Sequence, residues 1–291
     1  FGRFQGVSPA ELAGTGVAFS LHPDGRGPQP TAAALLNVKE VFSNTNFIRE
    51  YTALEPRSGW YRIEVPELLE EVHGVIHQFA VAHGIDQVAE ACFAQRLVKS
   101  SVKPLEDSTQ VSERLWTSAE TCTADNWEFC QMLNWHLDSD ITQHAVKVVR
   151  ALNTCCVTGL GRGPNASPVQ WPIGNETYRA GGLPREHRAF FKPGTKYRAR
   201  RYVASSFEYK VYFAARQPHE PVKWTFQLDS SQRCHQANYI TRRADRVADE
   251  KEFLFCPFSV FEIISVVWSD RPFERPHEIV LRVPVDSRDE L

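Results

Sequence analysis

Val222-Lys223-Trp224-Thr225-Phe226-Gln227-Leu228 alternates without a fault, with large apolar residues at 222, 224, 226 and 228 and polar ones between them. Side chains along a β-strand point to opposite faces in turn. The pattern therefore predicts a strand with Val222, Trp224, Phe226 and Leu228 turned toward a core and Lys223, Thr225 and Gln227 turned outward. The same period marks the chain from Asn175 onward: residues 177–181, 196–204, 252–256, 260–268 and 278–285 read as further strands, separated by Gly, Pro and Asp turns.

Before residue 175 the period is helical. Helical signals begin at Thr31-Ala-Ala-Ala-Leu-Leu, and Pro66 opens a clearer helix with Leu68, Leu69, Val72, Val75, Ile76 and Phe79 on one side, closed by Gly84. A third helix is expected over residues 86–98, and a polar linker over 103–112. Helical pattern resumes over 127–137. Asp138-Ser139-Asp140 then offers N-cap residues for a helix carrying Ala145, Val148, Val149, Leu152 and Cys155. Residues 1–30, rich in Gly, Pro and Ser, read as an extended arm. Gly159-Leu-Gly-Arg-Gly-Pro lacks the strand before and helix after that a phosphate loop requires, so it reads as a linker. Helices first and strands second predict an α+β fold.

Composition narrows the function classes. A net charge of −2 argues against a general nucleic-acid or anionic-membrane binder, and no run of about 18 apolar residues is present to span a membrane. The seven cysteines show no Cys-x-x-Cys spacing, which argues against a zinc ribbon or thioredoxin-type site, and an odd number cannot pair completely within one chain. His73 and His77 share a helix face as a zinc pair would, yet Gly74 stands where a His-Glu-x-x-His site has its glutamate; no metal is expected. Asn165-Ala-Ser and Asn175-Glu-Thr are glycosylation sequons, and Arg288-Asp289-Glu290-Leu291 is one conservative change from a Lys-Asp-Glu-Leu retention signal. If that end is native the endoplasmic reticulum is expected, and otherwise the cytoplasm.

Chemistry concentrates at Glu250 and Glu252, two residues apart at the entrance to the apolar run Phe253-Leu254-Phe255. On a continuous strand both carboxylates would share one face, about 7 Å apart, and could divide labour between stabilising a developing cation and orienting a second reactant. In the basic cluster Lys196, Arg198, Arg200 and Arg201, the spacing puts Arg198 and Arg200 on one strand face, expected to point to solvent.

Three patches then stand in order: Tyr178-Arg179-Ala180-Gly181-Gly182, Tyr202-Val203-Ala204-Ser205-Ser206-Phe207 and Glu250-Lys251-Glu252. In them the chain resembles the mono-ADP-ribosyltransferase family, in its arginine-modifying branch, which shares its fold with cholera toxin and the vertebrate surface transferases. That family carries an Arg on its first core strand, a Ser-Thr-Ser strand end and a Glu-x-Glu pair. Residues 129–137 and 144–156 resemble the helices before its arginine strand, and the resemblance covers about residues 107–285.

The resemblance implies a mixed β-sheet core preceded by helices, with a helical N-terminal extension over 1–104 and a catalytic domain over 105–291. It implies NAD as substrate, no metal, a monomer, and a protein acceptor with an exposed arginine. Glu252 would hydrogen-bond the ribose 2′-hydroxyl and stabilise the oxocarbenium-like sugar, while Glu250 would face the acceptor guanidinium. Arg179 would hold the pyrophosphate or the nicotinamide-side ribose. Ala204 stands where the family has its first serine, so Ser205 is expected to supply the missing hydroxyl. Tyr178, Ala180, Ser206 and Phe207 complete the expected NAD-binding set, and Tyr178, Phe190 and Phe207 either stack on nicotinamide or belong to the core. Arg242, Arg243 and Arg246 would lie on the loop that the family uses for acceptor recognition. A NAD glycohydrolase on the same site and a catalytically inactive binding module of the same fold remain the alternatives, the latter because of Ala204.

Overall fold

The computed structural model describes residues 45–54, 63–122, 126–154, 171–209, 219–234, 236–245, 247–285 and 287. The expected arm over 1–30, the helical signal from Thr31, the linker at 159–164, the Asn165 sequon, Cys155, Cys156, Arg246 and the terminal tetrapeptide lie outside the described residues. The chain divides into two compact units: Ser43–Cys155 with Ile240–Asp249, and Phe1–Phe42 with Cys156–Tyr239 and Glu250–Leu291.

Helices build the first unit: α1 Asn46–Ala53, α2 Val65–His83, α3 Gln87–Ser101, α4 Ser108–Trp116, α5 Phe129–Ser139 and α6 Ala145–Asn153. A two-stranded ribbon joins β1 Thr121–Cys122 to β2 Trp127–Glu128. Pro66 sits at the first turn of α2, where its missing N–H costs nothing, and Gly84 ends the helix at φ 66°, a left-handed cap. Leu68, Val72, Val75, Ile76 and Phe79 are buried as their spacing predicts, and α2 packs on α3, α5 and α6. Gly74 has a packing reason, because a Cβ there would lie 2.3 Å from the His144 ring. His77 pairs with Glu90 at 3.0 Å. Among the described residues no three His, Cys, Asp or Glu side chains converge as metal ligands, and no described helix is long and apolar enough to cross a membrane.

Two helical expectations change. The polar linker over 103–112 contains most of α4, whose N-terminus carries a capping box between Asp107 and Gln110. Asp140, expected to cap the helix that follows it, instead ends α5 at φ 55°. Its two carboxylate oxygens receive the backbone N–H groups of Asn46 (2.9 Å) and Phe47 (3.0 Å), capping α1 from 94 residues away. Asp140→Ala is expected to cost about 1–2 kcal/mol, read as a lower urea midpoint, because two helix N–H groups lose their acceptor and alanine tolerates a positive φ poorly. Asp140→Asn, which tolerates the positive φ but offers a single acceptor oxygen, should recover about half of the loss.

The second unit holds a mixed sheet of eight strands in the order β4-β9-β10-β6-β3-β5-β8-β7. These are β3 Glu176–Leu183, β4 Lys196–Ala199, β5 Val203–Ser206, β6 Glu220–Gln227, β7 Ala237–Tyr239, β8 Glu252–Phe255, β9 Ser259–Val267 and β10 His277–Arg282. Only β6 and β10 pair parallel; the others run antiparallel. Val222, Trp224, Phe226 and Leu228 are all buried, as their alternation predicts, against Tyr197, Phe253, Phe255 and Phe261. Gly181 leaves room for this core, since a Cβ there would stand 3.2 Å from the Trp224 indole nitrogen.

The strand expected over 196–204 is two strands at different places in the sheet: β4 lies at one edge beside β9, and β5 lies between β3 and β8. Residues 200–202 make the crossing, and three residues preserve the even spacing between Ala199 and Val203, so the alternation runs through the break unmarked. Arg198 and Arg200 are correspondingly not on solvent but buried, at 3% and 7% exposure. Arg198 donates to the carbonyls of Phe258 (2.8 Å) and Ser287 (2.6 Å), which meets the requirement that a buried charge be hydrogen-bonded.

Candidate active site

The backbone ladder between strands β3 and β5 consists of a single residue pair, Tyr178 with Ser206. On its other side β5 is fully laddered to β8, with Ser206 opposite Glu252, Ser205 opposite Phe253 and Ala204 opposite Leu254. Paired residues of an antiparallel ladder share a face. Tyr178, Ser206 and Glu252 therefore form one row across three strands, at the place where the sheet is held by its fewest backbone pairs.

Each side chain at this seam has a defined partner. Arg179 Nη1 donates to Ala204 O at 2.7 Å, crossing from β3 to β5 beside the lone pair of bridging residues. Ser206 Oγ donates to Glu250 O at 2.5 Å and receives Glu208 N at 3.2 Å. Phe207 N donates to Lys251 O at 3.2 Å, so the end of β5 is latched to the turn that enters β8.

Ser205 faces the opposite way from Glu252, toward the core, with 5% exposure. Its hydroxyl lies 2.8 Å from Phe253 O, which can only accept, and 2.9 Å from Thr177 Oγ1. With one proton to give, Ser205 donates to the carbonyl and accepts from Thr177, tying β3, β5 and β8 together. Ser206, not Ser205, carries the hydroxyl on the face of Glu252.

The glutamates also differ from expectation. Only Glu252 lies on β8, while Lys251 adopts φ 50°, a left-handed turn that ends the alternation and takes Glu250 off the strand. A shared strand face is thus excluded, and Glu250 stands on the turn that Ser206 holds. Lys251 forms an ion pair with Glu208.

No family model matches the sequence, and no curated protein matches it. Solved structures do resemble the chain. Vis from Vibrio splendidus is 14% identical over 81% of this chain and 89% of its own, with a TM-score of 0.43. The type III effector XopAI from Xanthomonas axonopodis pv. citri is 14% identical over 89% and 99%, with a TM-score of 0.47. An ADP-ribosyltransferase from Clostridium botulinum is 12% identical over 68% and 95%, with a TM-score of 0.42. Vis is likewise an ADP-ribosyltransferase. At this identity and overlap, the role of every side chain here rests on this chain's own geometry.

The aromatic residues sort clearly. Phe190 belongs to the core at 7% exposure, edge-on to Phe191 and Tyr197. Phe207 is half-buried and stacks on Tyr239 with ring centroids 5.1 Å apart. Tyr178 is half-buried; its hydroxyl donates to Glu176 at 2.9 Å and Lys223 Nζ lies 5.5 Å from its ring centre. Burial, helped by the Glu176 carboxylate, raises its phenol above the usual value. Ala180 pairs with Lys223 on β6. Arg242 and Arg243 are half-buried in the helical unit, with Arg243 on Asp249 at 2.8 Å and Arg242 3.9 Å from Glu106.

Proposed function

We propose that the chain is a NAD-dependent mono-ADP-ribosyltransferase that moves ADP-ribose from NAD to an arginine side chain and releases nicotinamide. The observation that carries this reading is the row of Tyr178, Ser206 and Glu252 across three strands; Arg179, next to Tyr178 on β3 and so on the alternate face, bonds Ala204 O across the same seam. In the reaction the bond from ribose C1′ to the nicotinamide nitrogen breaks, its electron pair returning to the ring. The sugar left behind has oxocarbenium character, which an anion stabilises more than it stabilises intact NAD. Glu252 is that anion. Ser206 supports it indirectly, by holding the backbone turn from which β8 begins.

The acceptor nitrogen then bonds to C1′ and loses a proton. Glu250, placed by the Lys251 turn, pairs with the incoming guanidinium and takes that proton. Arg179 presents its fork toward the phosphates while one of its N–H groups stays on Ala204 O. Tyr178, Ala180 and Phe207 flank the NAD-binding side. The catalytic domain is assigned to residues 105–291, where all of these residues stand.

Incubation with labelled NAD and agmatine tests the reading: an adduct and free nicotinamide are expected, and the absence of both would sink it. Glu250→Ala is expected to lower agmatine modification by roughly 30-fold, the scale of one lost charged hydrogen-bond pair, while nicotinamide release in water stays within about threefold. Equal loss of both activities would remove Glu250 from acceptor selection.

A further inference from the structure

The chain reaches the glutamates through Ile240–Asp249, which belongs to the helical unit and whose described residues lie in no helix or strand. Its backbone and side chains are held at successive points. Glu113 Oε2 accepts the Thr241 hydroxyl at 3.1 Å and the Arg242 N–H at 2.9 Å. One residue on, Arg114 grips Glu106 through Nε (2.8 Å) and Nη2 (2.9 Å) and gives Nη1 to the carbonyl of Arg243. Thr117 Oγ1 accepts Ala244 N at 3.0 Å. Lys103 Nζ meets the Asp245 carboxylate at 2.6 Å, and Asp245 N reaches Ser100 O at 3.4 Å. Ile240 and Ala244 are buried at 2% and 4% exposure.

Glu113 is the unusual member. A glutamate at 2% exposure is costly to bury unless its oxygens are occupied, and Oε2 spends its acceptor capacity on two consecutive residues of a loop about 130 positions away. Burying an acid merely to finish α4 would serve no purpose that a leucine could not serve better. We propose that Glu113 is a positioning residue: with Arg114 and Thr117 it clamps Thr241–Ala244 to α4 and so fixes the path of the chain toward Glu250. This deepens the transferase reading and rests on it for the catalytic consequence, since the clamped Arg243 in turn pairs with Asp249 at 2.8 Å, one peptide bond before the residue assigned to the acceptor. The clamp acts on acceptor geometry and leaves NAD cleavage at Glu252, inside the sheet, largely alone.

Two variants and two readouts test it. Glu113→Leu removes both accepted bonds, and Glu113→Gln keeps an oxygen able to accept them. In amide hydrogen exchange, Arg242 and Ala244 are expected to exchange roughly tenfold or more faster in Glu113→Leu, with Glu113→Gln near wild type. In the NAD and agmatine assay, Glu113→Leu is expected to raise the agmatine KM about tenfold and shift product toward free nicotinamide, with total nicotinamide release within about twofold and rescue by Gln. Thr117→Val, which removes the acceptor of Ala244 N together with the hydroxyl's own bond back to the end of α4, repeats the exchange test at Ala244 should the leucine variant fail to fold. Unchanged exchange at Arg242 and Ala244 in variants that keep their helical circular dichroism overturns the clamp. Released amides with an unchanged adduct-to-nicotinamide ratio overturn its role in positioning. A wild type that releases no nicotinamide defeats the transferase reading instead, and the exchange arm still decides the clamp.

Discussion

Glu252→Gln is expected to slow nicotinamide release from NAD on the order of 10²–10³-fold, about 3–4 kcal/mol of transition-state stabilisation, while the KM for NAD moves little. The substitution keeps the shape of the side chain and removes only its charge. A neutral amide still bonds a ribose hydroxyl in the ground state, so binding persists. What disappears is the attraction to a sugar that becomes cationic as the glycosidic bond lengthens, an attraction realised only in the transition state. Transfer and hydrolysis should fall together, because both pass through that sugar. This separates Glu252 from Glu250, whose loss is expected to divide the two activities. Thermal stability should be unaffected, since Glu252 is half-buried at the start of β8 whereas Phe253, Leu254 and Phe255 behind it carry the strand's packing. A Glu252→Gln protein that releases nicotinamide at the wild-type rate would remove the central residue of the proposed mechanism.

How much of this site was legible in the sequence follows from which physical signals are local. Residues 222–228 and the Pro66 to Gly84 helix read correctly because burial on one face and terminal capping are local patterns. Helix α4 escaped notice because it buries Ser108, Ser112 and Glu113 alongside Val111, Leu115 and Trp116, so its inward face does not look apolar. Its burial is meaningful only beside Thr241 and Arg242, which the sequence places far away. The assignment of the hydroxyl failed for a related reason. Choosing between Ser205 and Ser206 requires knowing which of them stands opposite Glu252, and register is a property of two strands together. Glu250 was misplaced by one backbone angle at Lys251, a residue type that gives no warning of a positive φ. The residue types of the proposed site, Arg179, the serine pair and the two glutamates, stand out in the sequence as a pattern, whereas their facing is decided only by the register of the strands.

The helical unit is expected to lose about 3 kcal/mol of stability as the pH falls from 7 to 4, with His136 as the chief cause. His136 has 0% exposure on α5, and its Nδ1–H donates to Met132 O at 2.8 Å. Burial, seconded by the nearby His144 and His83, pushes its pKa down from 6.5 to about 4, against the smaller upward pull of the Met132 carbonyl. The folded ring therefore stays neutral where the unfolded one is already protonated. The unfolded state binds the extra proton between about pH 6.5 and 4, so stability is complete above that window and drains away as pH falls through it. Glu71 extends the loss at the acid end. Burial alone would raise its carboxyl, but hydrogen bonds and charge from Lys147 and His144 hold it below the usual value, and that stabilisation is present above the ordinary carboxylate range and lost as the pH drops through the folded value. Urea unfolding followed by far-ultraviolet circular dichroism at pH 7, 5.5 and 4.5 distinguishes the two. His136→Phe keeps a planar ring without a proton site, and its stability should be nearly flat over this range, declining only where Glu71 begins to protonate. Wild-type and His136→Phe curves that fall in parallel would assign the acid sensitivity to another group.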